Sequence, residues 1–219
     1  PAGKSYEALV PDTLDLAERG ALALNCLTQS IAPELDLSMY EAIHFDANPA
    51  FMTTTGTNID VGKTVEALPQ VRLMSGSTQD LDIERILMLR VMAQSWEEGV
   101  FYTAPAAGRD WVAPEYAEVA NMVVIGRLLR GMLCWHQYNG DPLWMEHARK
   151  TYVTVRDKLI RYDRSGNAFF PPMTGWGYLP RAGYPPGLPD SGAEGAVRSA
   201  GAAILGYSLL GTAKYAAMT

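Results

Sequence analysis

The sequence predicts an all-α protein, and three observations support this prediction. Apolar residues recur at helical spacing over most of the chain, capping residues stand at the ends of these stretches, and no pattern of apolar parallel strands is present. The 219 residues suffice for one domain with a full core, while 48% hydrophobic and 19% charged residues exclude a disordered chain. We therefore expect a single helical domain over residues 1–219.

The individual helices are predicted from their caps and their periodicity. Asp12 is expected to cap the first helix, and Pro69 to bend the second or end it early. The third and fourth helices are apolar around most of their circumference, which is typical of interior helices. Gly140 is placed to end the fourth helix, and Asp141 with Pro142 to open the fifth. The predicted helices cover residues 12–29, 63–74, 79–96, 115–138, 143–162 and 193–216.

The longest stretch without helical periodicity covers residues 40–63, in a loop predicted over residues 31–61, and it concentrates polar side chains. Long irregular segments between helices are usually functional. Within this stretch, the sequences IHF and AFM are compatible with short extended pieces. We expect the helical frame to present the stretch at a cleft.

Three carboxylates on this stretch, and a fourth on the strongly apolar third helix, are candidates for catalysis. Glycosidic cleavage commonly uses one acid to protonate the leaving oxygen and a second carboxylate to activate water or attack the sugar. Asp46 is the lead candidate for acid or base because His44 and Asn48 flank it, and nearby apolar residues could perturb its pKa. Glu84 is equally compatible with a wet helix face or an intrahelical ion pair. The candidates are Asp46, Glu41, Asp60 and Glu84.

Aromatic side chains near turns are the candidates for sugar binding, since such rings stack on the apolar faces of sugars. His44 is expected to orient a carboxylate or the substrate. No metal or other cofactor is predicted, because a zinc site needs three or four ligands and His44 is the only histidine outside the predicted helices. The predicted substrate-binding residues are His44, Asn48, Tyr102, Trp111, Trp176 and Tyr178.

The charge of the chain restricts its partners. A net charge of −6 and a pI near 5.1 argue against a nucleic-acid or anionic-membrane surface, which would need a basic stripe. No apolar run reaches the roughly 20 residues of a membrane span. The start at Pro1 leaves room for a removed leader, so a secreted or periplasmic location is compatible with the sequence and the localisation stays open.

An internal repeat suggests how the helices are arranged. Residues 99–105 (GVFYTAP) align with residues 166–172 (GNAFFPP) at an offset of 67, and the same offset pairs Trp111 with Tyr178. Each block follows a helix and is followed by an aromatic loop and another helix. A period of that size, made of a helical hairpin plus an aromatic turn, is typical of an α/α toroid or solenoid.

With these helix, Gly-x-x-aromatic, Pro, aromatic-loop units and the HFDANP motif at residues 44–49, the sequence resembles the six-hairpin (α/α)6-toroid carbohydrate-active proteins. It looks most similar to groups near the β-L-arabinofuranosidase and β-glucuronidase-type hydrolases. The resemblance implies a glycoside hydrolase, or a lyase on the same frame, that acts on a glycan or a uronic-acid-containing saccharide. No catalytic motif matches residue by residue, so the candidate residues rest on local chemistry. The alternative is a non-catalytic helical module that binds a glycan or another protein.

The number of helices suggests an incomplete ring. A closed six-hairpin toroid has twelve helices, whereas the sequence predicts six, so the chain supplies about half of a ring. An open edge would leave apolar surface in water at a cost of about 25 cal/mol for each Å². We therefore expect the remainder of a longer chain, or a second subunit, to cover that edge.

Overall fold

The computed structural model describes residues 15–54, 59–95, 97, 99–112, 114, 117–159, 161–162, 166, 168–169 and 178–180. In this part of the chain the protein is mostly helical, as the sequence predicts. The predicted helix 193–216 and Trp176 lie outside the described residues.

Helices form the frame of the described part: α1 (Leu16–Gln29), α2 (Ile59–Ser75), α3 (Leu81–Ser95), α4 (Met122–Asn139) and α5 (Pro142–Thr154). A π-helical turn, Val155–Leu159, continues α5. Helix α1 packs on α2, α2 on α4, and α4 on α5.

The predicted junction between α4 and α5 is confirmed. Gly140 has a φ of 73°, and its N–H donates to the carbonyl of His136 at 2.8 Å, which ends α4. The carboxylate of Asp141 accepts a hydrogen bond from the N–H of Leu143 at 2.9 Å and caps α5. The two helices therefore form a hairpin.

Short antiparallel strand pairs connect the helices. The pairs are β1 (Ile31–Ala32) with β2 (Ser38–Met39), β3 (Ala42–His44) with β4 (Phe51–Thr53), β5 (Val119–Asn121) with β8 (Tyr178–Pro180), and β6 (Arg161–Tyr162) with β7 (Ala168–Phe169). The IHF and AFM sequences overlap β3 and β4, so the expected extended pieces are confirmed.

The centre of the core lies between α2 and α4, which approach each other closely. A Cβ atom at Gly131 would lie 2.8 Å from Cγ1 of Val65, and one at Gly62 would lie 2.9 Å from Cβ of Arg127, so only glycine permits this spacing. The indole N–H of Trp135 donates to the carbonyl of Val65 at 2.9 Å. Helix α4 is the interior helix that its apolar pattern predicts, with buried Val124, Ile125, Leu128, Leu129, Met132, Leu133 and Trp135.

Two predicted helix bounds near the N-terminal half need correction. Helix α1 is capped by Asp15, whose carboxylate accepts from the N–H of Ala17 at 2.8 Å, and Asp12 lies outside the described residues. Helix α2 begins at Ile59, four residues before its predicted start at residue 63, and it runs through Pro69 to Ser75, so the early end that the proline suggested does not occur. A proline removes one backbone donor, and the packing of α2 against α1 and α4 outweighs that loss.

Strands replace part of the predicted fourth and fifth helices. Residues 119–121 form β5, because Glu118 has a φ of 50°, outside the helical region, and β8 supplies hydrogen-bond partners. Arg161 and Tyr162 likewise belong to β6, which pairs with β7. Local apolar periodicity could not reveal these partners.

Helix α3 is not the interior helix that its composition predicts. Its outer face exposes Leu81, Ile86 and Leu89, with exposed fractions of 44%, 50% and 61%. The predicted cover of an open edge, by the remainder of a longer chain or a second subunit, stays a prediction. The opposite face of α3 is buried through Glu84, Leu87, Met88, Val91, Met92 and Ser95.

The two copies of the internal repeat share one backbone feature. Gly99 has a φ of 72° and Gly166 a φ of 82°, in the left-handed region that favours glycine. At Gly99 a Cβ atom would also lie 2.7 Å from the carbonyl carbon of Lys150. Equivalent places for Tyr102 and Phe169 stay a prediction, because most of the second copy lies outside the described residues.

Buried His147 in α5 makes the stability of the fold depend on pH. Its Nε2 lies 2.7 Å from Oγ of Ser95. Burial lowers the pKa of His147 to about 4, and the charge of Lys150 adds to this effect. In the unfolded chain the pKa returns to about 6.5, so between these values the unfolded chain binds more protons. We therefore expect a stabilising contribution that is fully present above about pH 6.5 and is lost as the pH falls towards 4, up to about 3 kcal/mol.

Urea denaturation at about pH 7 and about pH 4.5 measures this effect. The His147→Gln variant, which keeps a polar group but cannot ionise, should lose less stability than the wild type over the same interval. Equal losses in the two proteins would contradict the assignment to His147.

Candidate functional site

Part of the polar stretch, residues 41–54, forms a hairpin that carries four of the predicted site residues. Asp46 and Asn48 lie in the turn between β3 and β4 and are exposed, and the Asn48–Pro49 peptide bond is cis. Phe45, beside Asp46, is 81% exposed. Asp46 is therefore in contact with water and is not enclosed by its apolar neighbours, contrary to the setting that the sequence suggested.

His44 contacts residues of the opposite strand. Its Nε2 lies 3.0 Å from Oγ1 of Thr53, and its ring stacks on Phe51 with 4.5 Å between the ring centres. These contacts hold the hairpin together across the strands. The described contacts of His44 thus give it a structural role in the hairpin.

The remaining candidate carboxylates are distributed over different elements. Glu41 is half-buried where the hairpin begins, and its N–H donates to the carbonyl of Thr53 at 2.9 Å. Asp60 belongs to the first turn of α2 and not to a loop. Glu84 is buried in α3, where its Oε2 accepts from Nε of Arg72 at 2.7 Å.

The structural alternatives predicted for Glu84, a wet helix face or an intrahelical ion pair, are both corrected by its burial and its partner. Its partner is Arg72 of α2, so it forms an ion pair between helices and not within one. Burial raises the pKa of Glu84, and the Arg72 guanidinium opposes that rise. The pair joins α2 to α3.

The aromatic side chains predicted to form a sugar-binding rim, Tyr102, Trp111, Trp176 and Tyr178, are only partly described. Tyr102 is buried, with 8% of its surface exposed, so its ring does not belong to an exposed rim. Trp111 is half-buried, and its indole Nε1 is buried without a hydrogen-bond partner among the described residues. Tyr178 belongs to β8, and Trp176 lies outside the described residues.

A cleft of about 420 Å³ brings together charged side chains that were not predicted as site residues from the sequence. Three parts of the chain form it: the segment between β1 and β2, the third and fourth turns of α3, and the loop that precedes β5. We call it the arginine cleft. It is lined by Pro33, Asp36, Leu37, Arg90, Gln94, Ala104, Pro105 and Arg109.

One wall of the arginine cleft is held by an ion pair. Nε of Arg109 lies 2.5 Å from Oδ2 of Asp36, which ties the loop to the segment between β1 and β2. Asp36 and the following Leu37 have φ angles of 55° and 60°, in the left-handed region. Residues other than glycine adopt this backbone region at a cost in free energy. Such strained positions cluster at functional sites.

Arg90 on α3 also lines the cleft. Its Nη1 and Nη2 are buried and meet no hydrogen-bond partner among the residues that the structure describes. Burial lowers the pKa of Arg90 below its ordinary value, the Asp36 carboxylate opposes this, and the Arg109 charge adds to it. Gln94, one helical turn further, likewise has a buried Oε1 without a donor in the described part. The cleft therefore offers a guanidinium fork and an amide oxygen to a ligand.

The sequence contained one signal that could have found this site. Arg90 stands in the run LMLRVM, at a position where the helical pattern places apolar side chains. A charge within an apolar helix needs a partner, and asking for that partner would have drawn attention to Arg90. The other walls come from residues far apart in sequence, so no local motif could reveal them.

Searches among known proteins give no relatives. The chain matches no protein-family model, no curated protein and no solved structure. Within the described residues, no helix is long and apolar enough to cross a membrane, and no group of three or more His, Cys, Asp and Glu side chains could hold a metal ion.

Proposed function

We propose that this chain is a carbohydrate-active protein that binds the acidic group of a uronic-acid-containing saccharide in the arginine cleft. The observation that carries the proposal is the Arg90 guanidinium, whose buried Nη1 and Nη2 meet no partner within the described part of the chain. A buried charge without a partner is costly. A bound carboxylate supplies both missing acceptors.

The shape and charge of the cleft fit a sugar acid. A guanidinium is planar, and its parallel N–H groups match the two oxygens of a carboxylate. A volume of about 420 Å³ is within the usual range of small-molecule sites. Asp36 pairs with Arg109 and also favours the charge of Arg90, but one carboxylate balances only one of the two guanidinium groups in the described lining, so one positive charge is left for the ligand.

We also propose an α/α toroid as the frame that carries the cleft. The hairpin of α4 and α5 supports this proposal, as do Gly99 and Gly166 with their shared left-handed conformation. Stacked helical hairpins with recurrent turns are typical of such folds. The cleft then lies where loops and short strand pairs join the helices.

Binding without turnover is the second candidate function, and one observation favours it. Glycoside hydrolysis needs two carboxyl groups at one bond. Among the described residues the cleft is lined by one carboxylate, Asp36, and Arg109 already binds it. The hydrolytic proposal assigns the acid or base role to Asp46, with Glu41 or Asp60 as the second carboxylate.

Calorimetric titration with D-glucuronate and with D-glucose tests the proposal, because the two sugars differ only in the acidic group at C6. We expect D-glucuronate to bind and D-glucose to bind at least about tenfold more weakly, since hydrogen bonds to charged groups contribute about 1.5–3 kcal/mol. Equal affinities, or no binding of D-glucuronate, would contradict the proposed function.

The release of reducing ends from glucuronate-containing oligosaccharides distinguishes the two forms of the proposal. If turnover is found, we expect Asp46→Asn to lower it by about 100-fold, because the variant loses general acid–base catalysis. Unchanged turnover in Asp46→Asn would exclude Asp46 from the mechanism. Binding without turnover identifies a binding module.

A further inference from the structure

The charges around the arginine cleft determine which anions it can accept. Among the described residues that line it, two guanidinium groups, Arg90 and Arg109, and one carboxylate, Asp36, are charged, so these groups sum to one positive charge. Asp36 holds Arg109 at 2.5 Å and lines the same cavity as Arg90. A ligand with one negative charge neutralises the cleft, whereas a second negative charge would meet the Asp36 carboxylate.

Resting on the proposed function, we propose that Asp36 is a specificity-determining residue that makes the cleft select a carboxylated sugar over a phosphorylated one. A sugar carboxylate carries one negative charge, and a phosphate monoester carries about 1.5 to 2 at pH 7. Like charges brought together at a binding site suppress the wrong ligand. Asp36 therefore acts as a repulsive element in addition to its contact with Arg109.

Gln94 completes the recognition of a sugar acid. It lies four residues after Arg90 on α3, so both side chains are on the same face of the helix. Its buried Oε1 accepts no hydrogen bond within the described part of the chain. A hydroxyl group of the same sugar ring that carries the carboxylate supplies the donor. The pair thus recognises an anion with a neighbouring hydroxyl group.

The Asp36→Asn variant tests the proposal with D-glucuronate and D-glucose 6-phosphate as probes, since both are hexoses charged at C6. Asparagine tolerates the left-handed backbone at this position. We expect the wild type to prefer D-glucuronate, and the variant to shift the ratio of affinities towards the phosphate by about tenfold, as loss of a nearby like charge requires. Asp36→Gly fits the same φ and also removes the charge, so it should produce the same shift. It keeps the test possible if Asp36→Asn folds poorly.

The matched control is Asp82→Asn, which removes an exposed carboxylate from the first turn of α3 and should leave the ratio unchanged. A ratio that stays constant in Asp36→Asn and Asp36→Gly, while both probes still bind, would overturn the role of Asp36 and leave the proposed function intact. Absence of binding of D-glucuronate to the wild type would contradict the proposed function itself, and the role of Asp36 with it.

Discussion

Arg90→Met should weaken the binding of D-glucuronate by about 100-fold without lowering the stability of the fold. Truncating one partner of a buried, hydrogen-bonded charge pair costs about 2–5 kcal/mol of binding free energy. Methionine retains the apolar stem of Arg90 but removes the guanidinium, whose Nη1 and Nη2 have no partner in the described residues. The free energy of unfolding should stay the same or rise, because the variant removes a buried guanidinium whose Nη1 and Nη2 lack acceptors among the described residues.

Titration calorimetry and urea denaturation of the same protein measure the two quantities. Arg85→Met is the matched control, since Arg85 lies on the exposed side of α3 and does not line the cleft. We expect it to bind D-glucuronate as the wild type does. A large loss of stability in Arg90→Met would mean that Arg90 supports the fold, and it would contradict the role of its guanidinium as a group kept for a ligand.

Glu84→Gln should lower the free energy of unfolding by about 3–5 kcal/mol, because removal of one partner from a buried ion pair leaves the other charge uncompensated. The side chains of Arg72 and Glu84 are 1% and 5% exposed, and they meet at 2.7 Å. Arg72 also donates from Nη1 to the carbonyl of Ser77 at 2.9 Å. A neutral glutamine at position 84 cannot replace the carboxylate as the charge partner of Arg72. The effect is measured by urea denaturation.

The double variant Arg72→Met, Glu84→Leu tests whether the loss of stability comes from the uncompensated charge of Arg72. Replacing a buried ion pair with apolar side chains of similar volume is often neutral or stabilising, so we expect it to recover most of the loss. Asp82→Asn, an exposed carboxylate two residues before Glu84, should change stability by less than about 0.5 kcal/mol. A small effect of Glu84→Gln would contradict this expectation, and it would show that water or a rearrangement of Arg72 compensates for the lost carboxylate.

Those parts of the fold that depend on local sequence were predicted from the sequence alone. Helical periodicity identified the helices of the described part, and Gly140 with Asp141 fixed the junction of α4 and α5, because a cap acts on its own turn. The extended pieces of the hairpin were also found, since their residues favour strands. The early helix end suggested by Pro69 does not occur, because packing from two neighbouring helices outweighs a local preference.

Only the tertiary structure decided which charged side chains meet. Glu84 was predicted as a possible site residue or a surface charge, and it is buried against Arg72, a residue of another helix. Asp36, Arg90 and Arg109 come from three separate segments and are brought together by packing. Periodicity assigns a residue to a helix face, but the partner of that face is set by contacts between segments distant in the chain. The sequence alone therefore determined the helical class and the extended pieces of the β3–β4 hairpin. The meeting of charged side chains in the cleft, and the lack of acceptors for the Arg90 guanidinium in the described part of the chain, result from the packing of segments distant in sequence.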